Sequence, residues 1–329
     1  MNYSNYNQKN TNKMSNNCKA IITSVEKLRY EIYFNNKFEF IEKSLKNLVV
    51  GDILTINCED GKMKINNCQP RKNYLIRLDP DPHENKTQVI ASNFDYVFCV
   101  VSMNKNFNIN RICRLLILVK QSKAYPFVIL TKCDLVNTYD YYIKELKKIN
   151  CDYIITSCVT NEGIEQIKSL LSKDKTFLFI GSSGVGKSSL INKILNKDLM
   201  KTSSIRAKDD RGRHTTTIRK MVILNNGCKI IDTPGIRSIG MIDLNEAIDE
   251  YFIDITSFRN KCKYKNCMHI SEQGCFVKKA LMDGEISFER YNLYVQLKEE
   301  AFKFLKRTRI HAKYNRAKYN KLIDDEYKL

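Results

Sequence analysis

The pattern of hydrophobic and polar positions changes its character near residue 70. Before that point, short apolar runs of the β type alternate with polar turns such as Asn35-Asn36 and Asp60-Gly61. These runs predict strands at residues 20–25, 30–34, 38–41, 52–56 and 62–65. Strands this short and this closely spaced are typical of a small closed barrel, so we predict an OB-fold over residues 18–72.

From residue 73 onward, apolar strands alternate with amphipathic helices. The predicted strands are 95–101, 127–130, 153–155, 176–180, 221–224 and 229–231, and the predicted helices are 109–122, 139–149, 163–171 and one that starts at Ser188. Apart from Asp95 at its start, the run 95–101 is apolar, as expected of a strand that is buried on both faces of a parallel sheet. We therefore predict a doubly wound α/β domain, whose ligand-binding loops lie at the carboxyl ends of the strands.

The two ends of the chain have different compositions. Residues 1–17 are mostly Asn, Lys, Ser and Tyr, and we predict that they form a disordered tail. Near the other end the pattern is helical at 276–283 and 288–306, and the residues that follow are rich in Lys and Arg. This basic tail either contacts an RNA backbone or presents a solvated helix face.

The composition of the chain also indicates the type of its partner and its cellular compartment. The net charge of +19 favours a polyanionic partner such as RNA. An OB-fold often binds nucleic acid, but no surface that combines basic and aromatic residues is apparent, so a barrel that serves only for packing stays an alternative. No apolar run reaches membrane-spanning length and no apolar signal core is present, so we expect a cytoplasmic protein with no membrane partner.

A phosphate-binding loop lies between the strand 176–180 and the helix behind it. The motif G-x-x-x-x-G-K-[ST] and the serine after it are Gly181, Ser182, Ser183, Gly184, Val185, Gly186, Lys187, Ser188 and Ser189. The backbone N–H groups of such a loop and the N-terminus of the following helix attract phosphates. We expect Lys187 to contact the β- and γ-phosphates as a catalytic residue, and Ser188 to bind Mg²⁺.

Two further loops at strand ends point to guanine. Thr131, Lys132, Cys133 and Asp134 fit the pattern [NT]-K-x-D, in which Asp134 would accept hydrogen bonds from guanine N1–H and the 2-amino group. Adenine cannot supply that pair of donors, so a buried carboxylate would be left without a partner. Ser157-Cys158 ends the next strand, where GTPases place a small pair whose backbone N–H contacts guanine O6.

The remaining GTPase motifs follow the phosphate loop. The polar stretch 211–217 contains three threonines, of which Thr216 is our choice as the Mg²⁺ ligand that senses the γ-phosphate, with Thr215 and Thr217 as alternatives. The strand 229–231 ends in a D-x-x-G motif, in which Asp232 would support the Mg²⁺ shell and the N–H of Gly235 would contact the γ-phosphate. The guanine motif thus precedes the phosphate loop, which is a circular permutation of the usual order.

Four soft ligands follow in a polar stretch, at a spacing that suits a metal. Cys262, Cys267, His269 and Cys275 have the spacing C-x4-C-x-H-x5-C, which predicts one structural, tetrahedral Zn²⁺. Free thiols beside a surface histidine are the alternative. Twelve cysteines in a chain without an export signal are otherwise expected to be reduced, and we assign the remaining ones no role.

The motif order, the preceding barrel and the cysteine–histidine spacing resemble one family, the circularly permuted small ribosomal subunit biogenesis GTPases, RsgA. The resemblance implies a multidomain protein with an OB-fold at 18–72, a permuted G domain at 73–244 and a helical zinc-binding domain at 245–329. It also implies binding of GTP or GDP, binding of the small ribosomal subunit and its rRNA, and slow GTP hydrolysis that the subunit stimulates. We expect a monomer.

The catalytic machinery is the least defined part of the prediction. Ile236 follows the D-x-x-G motif, where Ras-like enzymes place a glutamine that orients water. His214 is the candidate to replace that glutamine, although it is as well explained as a loop residue. Two other classes remain, namely an RNA-binding zinc protein that uses GTP only as a structural ligand and a small-molecule P-loop kinase, which the guanine motif disfavours.

Overall fold

The computed structural model describes residues 17–59, 62–78, 87–105, 107–197, 219–233, 245–265, 267–270 and 272–302. The predicted N-terminal tail, up to residue 16, and the basic residues beyond 302 lie outside these ranges.

Five antiparallel strands form the N-terminal part of the fold, at the positions that the sequence predicts. They are β1 Asn17–Val25, β2 Arg29–Phe34, β3 Lys37–Glu42, β4 Ile53–Glu59 and β5 Lys62–Cys68. They pair in the order β3-β2-β1-β4-β5, and β3 and β5 approach each other. Alternate side chains point inward, so that Ile22, Ile32, Leu54 and Ile56 share one fully buried core.

A hairpin that the sequence pattern does not predict follows these strands. Its strands are β6 Tyr74–Leu78 and β7 Thr87–Ser92, and they form a separate sheet. The hairpin is tied to the strands before it by Asp52, whose side chain is fully buried. Asp52 accepts hydrogen bonds from Arg71 Nε at 2.6 Å and Ser92 Oγ at 2.7 Å. A buried carboxylate needs such partners, which here come from distant parts of the sequence.

The central sheet contains six strands in an order that reflects the permutation. These strands are β8 Tyr96–Ser102, β9 Tyr125–Thr131, β10 Tyr153–Ile155, β11 Thr176–Ile180, β12 Lys220–Ile223 and β13 Lys229–Asp232. Their order is β10-β9-β8-β11-β13-β12, and all pairs are parallel except the antiparallel β12–β13 pair. Ser24 of β1 pairs with Lys220 of β12, so the N-terminal strands and the central strands belong to one mixed sheet.

Helices cover both faces of the central sheet. They are α1 Ile109–Gln121, α2 Asp140–Lys147, α3 Ile164–Leu170, α4 Lys187–Leu195, α5 Asn245–Tyr251, α6 Ile253–Thr256, α7 Phe276–Met282 and α8 at 288–302. Alternate residues of β8 enter different cores: Val97 and Cys99 pack with α1, whereas Phe98 and Val100 pack with α3 and α4. The strands are therefore buried on both sides, which explains their continuous apolar sequence.

The C-terminal helices share the core of the central sheet instead of forming a core of their own. Buried residues of α5, α7 and α8, such as Ile248, Val277 and Leu297, belong to the same cluster as α1. At the helix surface, Arg114 of α1 forms an ion pair with Glu300 of α8. None of the helices within the described ranges has the length and apolar composition needed to cross a membrane.

Candidate functional site

The predicted phosphate loop connects β11 to α4 at the carboxyl edge of the parallel strands. Gly181 has φ of 155°, and a Cβ built on it would lie 2.3 Å from the carbonyl oxygen of Val100. The close approach of β8 therefore requires glycine at this position. Lys187 is the first residue of α4 and is only 6% exposed. Its Nζ donates hydrogen bonds to the carbonyls of Gly181 at 2.8 Å and Ser182 at 3.1 Å.

Hydrogen bonds join the predicted guanine motif to the phosphate loop. The hydroxyl of Thr131, which is 2% exposed, donates to the carbonyl of Val185 at 2.5 Å. The neighbouring Lys132 donates from Nζ to the carbonyl of Gly184 at 2.8 Å. Because β8 lies between β9 and β11 in the sheet, strand pairing does not join the loops that follow β9 and β11. The side chains of Thr131 and Lys132 connect these two loops. The Thr131 hydroxyl thus braces the two motifs against each other.

The carboxylate of Asp134 is oriented by the next loop. The hydroxyl of Ser157, at the end of β10, donates to Asp134 Oδ1 and accepts from the backbone N–H of Val159 at 3.0 Å. The backbone N–H of Ser157 itself donates to the carbonyl of Glu162 at 3.1 Å. Within the predicted pair Ser157-Cys158, the backbone N–H of Ser157 is therefore already hydrogen-bonded, and the side chain of Ser157 contacts Asp134.

Tyr139 and Glu162, which sequence reasoning missed, support the same loop. The thiol of Cys133, which is 1% exposed, donates to Glu162 Oε2 at 3.4 Å. The hydroxyl of Tyr139 donates to the same oxygen at 3.1 Å. Burial raises the pKa of the Cys133 thiol, so it stays neutral and acts as a donor. No local pattern pairs Cys133 with Glu162, because 29 positions separate them.

Asp232 ends β13 directly beside the phosphate loop. Burial raises the pKa of its carboxyl group to about 6, while Lys187 and a hydrogen bond from Ser188 act in the opposite direction. Burial also lowers the pKa of Lys187, which the nearby Asp232 opposes. Within the described ranges, Asp232 Oδ1 is a buried oxygen without a hydrogen-bond partner. An unpartnered carboxylate oxygen next to a serine hydroxyl is a donor set that fits Mg²⁺.

The other switch residues are beyond what the structure describes. His214, Thr215, Thr216 and Thr217, together with Gly235 and Ile236, lie outside the described ranges. Thr233, the second residue of the D-x-x-G motif, is fully buried, and its hydroxyl donates to the carbonyl of Phe179 at 2.7 Å. This bond fixes the start of the motif to β11.

The four predicted metal ligands come together between α6 and α7. The sulfur atoms of Cys262, Cys267 and Cys275 and one ring nitrogen of His269 all lie within 4.8 Å of one another. His269 Nδ1 is 3.4 Å from Cys275 Sγ and 3.7 Å from Cys262 Sγ. Three thiols and one imidazole at these separations fit a tetrahedral Zn²⁺.

Backbone N–H groups also point at the sulfur atoms of this cluster. Phe276 N–H donates to Cys262 Sγ at 3.4 Å, and Lys278 N–H donates to Cys275 Sγ at 3.5 Å. The metal-binding form of cysteine is the thiolate, whose sulfur accepts bonds of this kind. Although the sequence around them is polar, Cys267, His269 and Cys275 are buried, and both cysteines belong to the main core. The fold that brings α7 and α8 together supplies this burial.

Comparison with known proteins is consistent with the geometry of the site. Residues 68–242 match the model of the RsgA GTPase family. The small ribosomal subunit biogenesis GTPase RsgA 1 of Listeria monocytogenes is 37% identical over 284 residues, which cover 85% of this chain and 79% of that protein. The RsgA protein of Methanosarcina acetivorans is 37% identical over 259 residues, covering 78% and 70%.

Two solved structures have a fold similar to that of this chain. The crystal structure of YjeQ from Thermotoga maritima has a TM-score of 0.64 and 27% identity, and the match covers 87% of this chain and 99% of that one. YloQ, described as a circularly permuted GTPase, has a TM-score of 0.62 over 91% and 98% of the two chains, and its 23% identity makes it a likeness of fold alone. From the family model, the curated relatives and the permuted order of its motifs, the chain belongs to the RsgA family of GTPases.

Proposed function

We propose that this protein is a cytoplasmic GTPase that binds the small ribosomal subunit and assists its late maturation. Hydrolysis is slow in the free protein and faster on the subunit. The observation that carries the proposal is the joining of the guanine motif to the phosphate loop through Thr131 and Lys132. The relatives that cover most of the chain are named for small-subunit biogenesis.

The phosphate end of the nucleotide is bound by the loop from Gly181 to Ser189. Lys187, now hydrogen-bonded to loop carbonyls, turns its Nζ toward the β- and γ-phosphates when they arrive. Ser188 and Asp232 would hold Mg²⁺, which would supply positive charge to neutralise the charge that develops on the phosphates. Thr216 and the N–H of Gly235 complete the γ-phosphate site, and His214 orients the attacking water.

The base end is bound by Asp134, which accepts from guanine, and by the N–H of Cys158. The hydroxyl of Ser157 donates a hydrogen bond to Asp134 Oδ1, so it orients the carboxylate before the base binds. Pre-orientation of this kind reduces the ordering cost of binding.

The flanking segments provide the contacts with the subunit. We assign an OB-fold to residues 18–72, the G domain to 73–244 and a zinc-binding helical domain to 245–329. The strand order β3-β2-β1-β4-β5, with β3 near β5, supports the first assignment. The Cys262 cluster holds one structural Zn²⁺, and the protein acts as a monomer on rRNA, to which its net charge of +19 is suited.

Co-sedimentation with purified small subunits tests the proposal. The protein should sediment with subunits more tightly in a non-hydrolysable GTP analogue than in GDP, and the subunits should raise its GTP turnover. Lys187→Ala should lose turnover, whereas Lys120→Ala, a lysine at the far end of α1, should keep it. An RNA-binding protein that uses GTP only as a structural ligand would bind subunits without turnover, and that result would overturn the proposal.

A further inference from the structure

Glu162, in the loop between β10 and α3, contacts both loops to which the proposed function assigns the base. Its side chain accepts a hydrogen bond from Cys133 Sγ at 3.4 Å, and its backbone carbonyl accepts one from the N–H of Ser157 at 3.1 Å. Cys133 directly precedes Asp134, and Ser157 directly precedes Cys158. A single residue thus holds the neighbours of both groups that are expected to bind guanine.

The carboxylate of Glu162 also joins the guanine motif to the start of α2. The hydroxyl of Tyr139, the residue before this helix, lies 3.1 Å from Glu162 Oε2 and 3.3 Å from Oε1. The motif itself is a single 3₁₀ turn, Cys133–Leu135, whose first N–H donates to the carbonyl of Thr156 at 3.2 Å. So short a turn has few hydrogen bonds of its own, so contacts from other segments determine its position.

The backbone around Glu162 is set by the end of β10. Gly163 has φ of 69°, and a Cβ built on it would lie 2.1 Å from the carbonyl oxygen of Ile155, so only glycine fits there. The N–H of Glu162 donates to Thr160 Oγ1 at 3.4 Å, and the N–H of Thr160 donates to Ser157 Oγ at 3.2 Å. The loop therefore presents the carboxylate to Cys133 before any nucleotide binds, which lowers the ordering cost of binding.

The exposure of Glu162 separates this role from a role in stability. Glu162 is an exposed residue, and water competes for hydrogen bonds at such positions, so its loss should change the free energy of unfolding little. A carboxylate that binds a base is more sensitive to its position, because hydrogen bonds weaken steeply when their angle departs from linearity. A small shift of the turn is therefore expected to affect base binding more than folding.

We propose that Glu162 is a positioning residue for guanine, which keeps the Asp134 carboxylate and the Cys158 N–H at the separation that the base spans. It acts through Cys133 and Ser157 and does not itself touch the base. The inference rests on the proposed function, in which these two groups bind guanine. A shift of the turn weakens the contacts to guanine N1–H and the 2-amino group, whereas contacts to the phosphates do not depend on it.

Comparing GDP with inosine diphosphate measures this positioning. Hypoxanthine retains N1–H and O6 but lacks the 2-amino group, so the ratio of the two affinities reports how well the Asp134 carboxylate is placed. The wild type should bind GDP about tenfold more tightly than inosine diphosphate. In Glu162→Ala, affinity for GDP should fall about fivefold and the ratio should fall to about three. Glu162→Gln, which keeps an acceptor oxygen, should restore most of the ratio.

Two further variants and one further ligand complete the test. Glu165→Ala is the matched control, because Glu165 is an exposed glutamate in the first turn of α3 that pairs with Lys168 at 2.9 Å, and it should keep the wild-type ratio. Tyr139→Phe removes one of the two donors to Glu162, so it should lower the ratio by a smaller amount. Pyrophosphate, measured by competition with a fluorescent GDP, has no base and should bind all forms equally.

Three results would overturn the inference. In the first, Glu162→Ala keeps the wild-type ratio. In the second, it weakens GDP, inosine diphosphate and pyrophosphate by the same factor, which indicates a general loss of structure. In the third, Glu162→Gln is as weak as Glu162→Ala, so that the negative charge and not the acceptor is required.

Failure of the proposed base site gives a different result. A wild-type protein that binds inosine diphosphate as tightly as GDP refutes the assignment of Asp134 to guanine, and the inference with it. A wild-type preference for GDP that Glu162→Ala retains in full refutes only the positioning role.

Discussion

Replacing Thr131 with valine tests whether the brace between the guanine motif and the phosphate loop determines nucleotide affinity. The change keeps the shape of a side chain that is 2% exposed and removes the hydroxyl that donates to Val185. Deleting such a donor costs about 1–2 kcal/mol, because the buried acceptor is left without a partner. If the bond sets the separation of the two loops, the separation is lost in Thr131→Val, and the nucleotide must restore it when it binds. Affinity for GDP should then fall about tenfold, which corresponds to about 1.4 kcal/mol.

The matched control is Thr156→Val. The hydroxyl of Thr156 is fully buried and donates to the carbonyl of Leu130 at 3.1 Å, which is outside the phosphate loop. Both valine variants should lower the free energy of unfolding, measured by urea titration, by a similar amount. Only Thr131→Val should weaken GDP binding in calorimetry, and Thr131→Ser, which retains a donor, should restore most of it. Equal GDP affinity of the two valine variants would refute the brace.

Three further predictions concern selectivity, acidity and metal. Asp134→Asn should reduce GDP affinity without raising ADP affinity, since an amide donor would face guanine donors; equal binding of GDP and ADP by the wild type would contradict the base assignment. For Asp232, a pKa raised from 3.8 to about 6 means that the folded state binds the proton more tightly than the unfolded state. The free energy of unfolding, measured by urea titration without Mg²⁺, should therefore fall as pH rises from 4 through 6. The Asp232→Asn variant should not show this part of the pH dependence. Metal analysis should find about one Zn²⁺ per chain in the wild type and in the control Cys151→Ser. Cys267→Ser should contain none, and its melting temperature should fall. A full zinc content in Cys267→Ser would exclude the site.

The apolar pattern was sufficient to predict most of the strands and helices, although not the β6–β7 hairpin. The five N-terminal strands, the strand-and-helix alternation and the position of the phosphate loop all follow from local spacing. The Cys262 to Cys275 spacing predicted a cluster that the fold does assemble. Local signals succeed here because glycine in a tight loop and apolar residues at fixed periods are required by the backbone itself.

Contacts between distant segments were decided only by the tertiary structure. Three hydrogen bonds show this: Thr131 donates to Val185, Ser157 donates to Asp134, and Cys133 donates to Glu162. More than twenty positions of the sequence separate the two members of each pair. The contact between the rings of Tyr33 in β2 and Phe38 in β3 likewise depends on the register of the turn between these strands. A sequence specifies which groups are able to form hydrogen bonds or stack. Which of them meet depends on strand order and register, because these bring residues from separate segments within bonding distance.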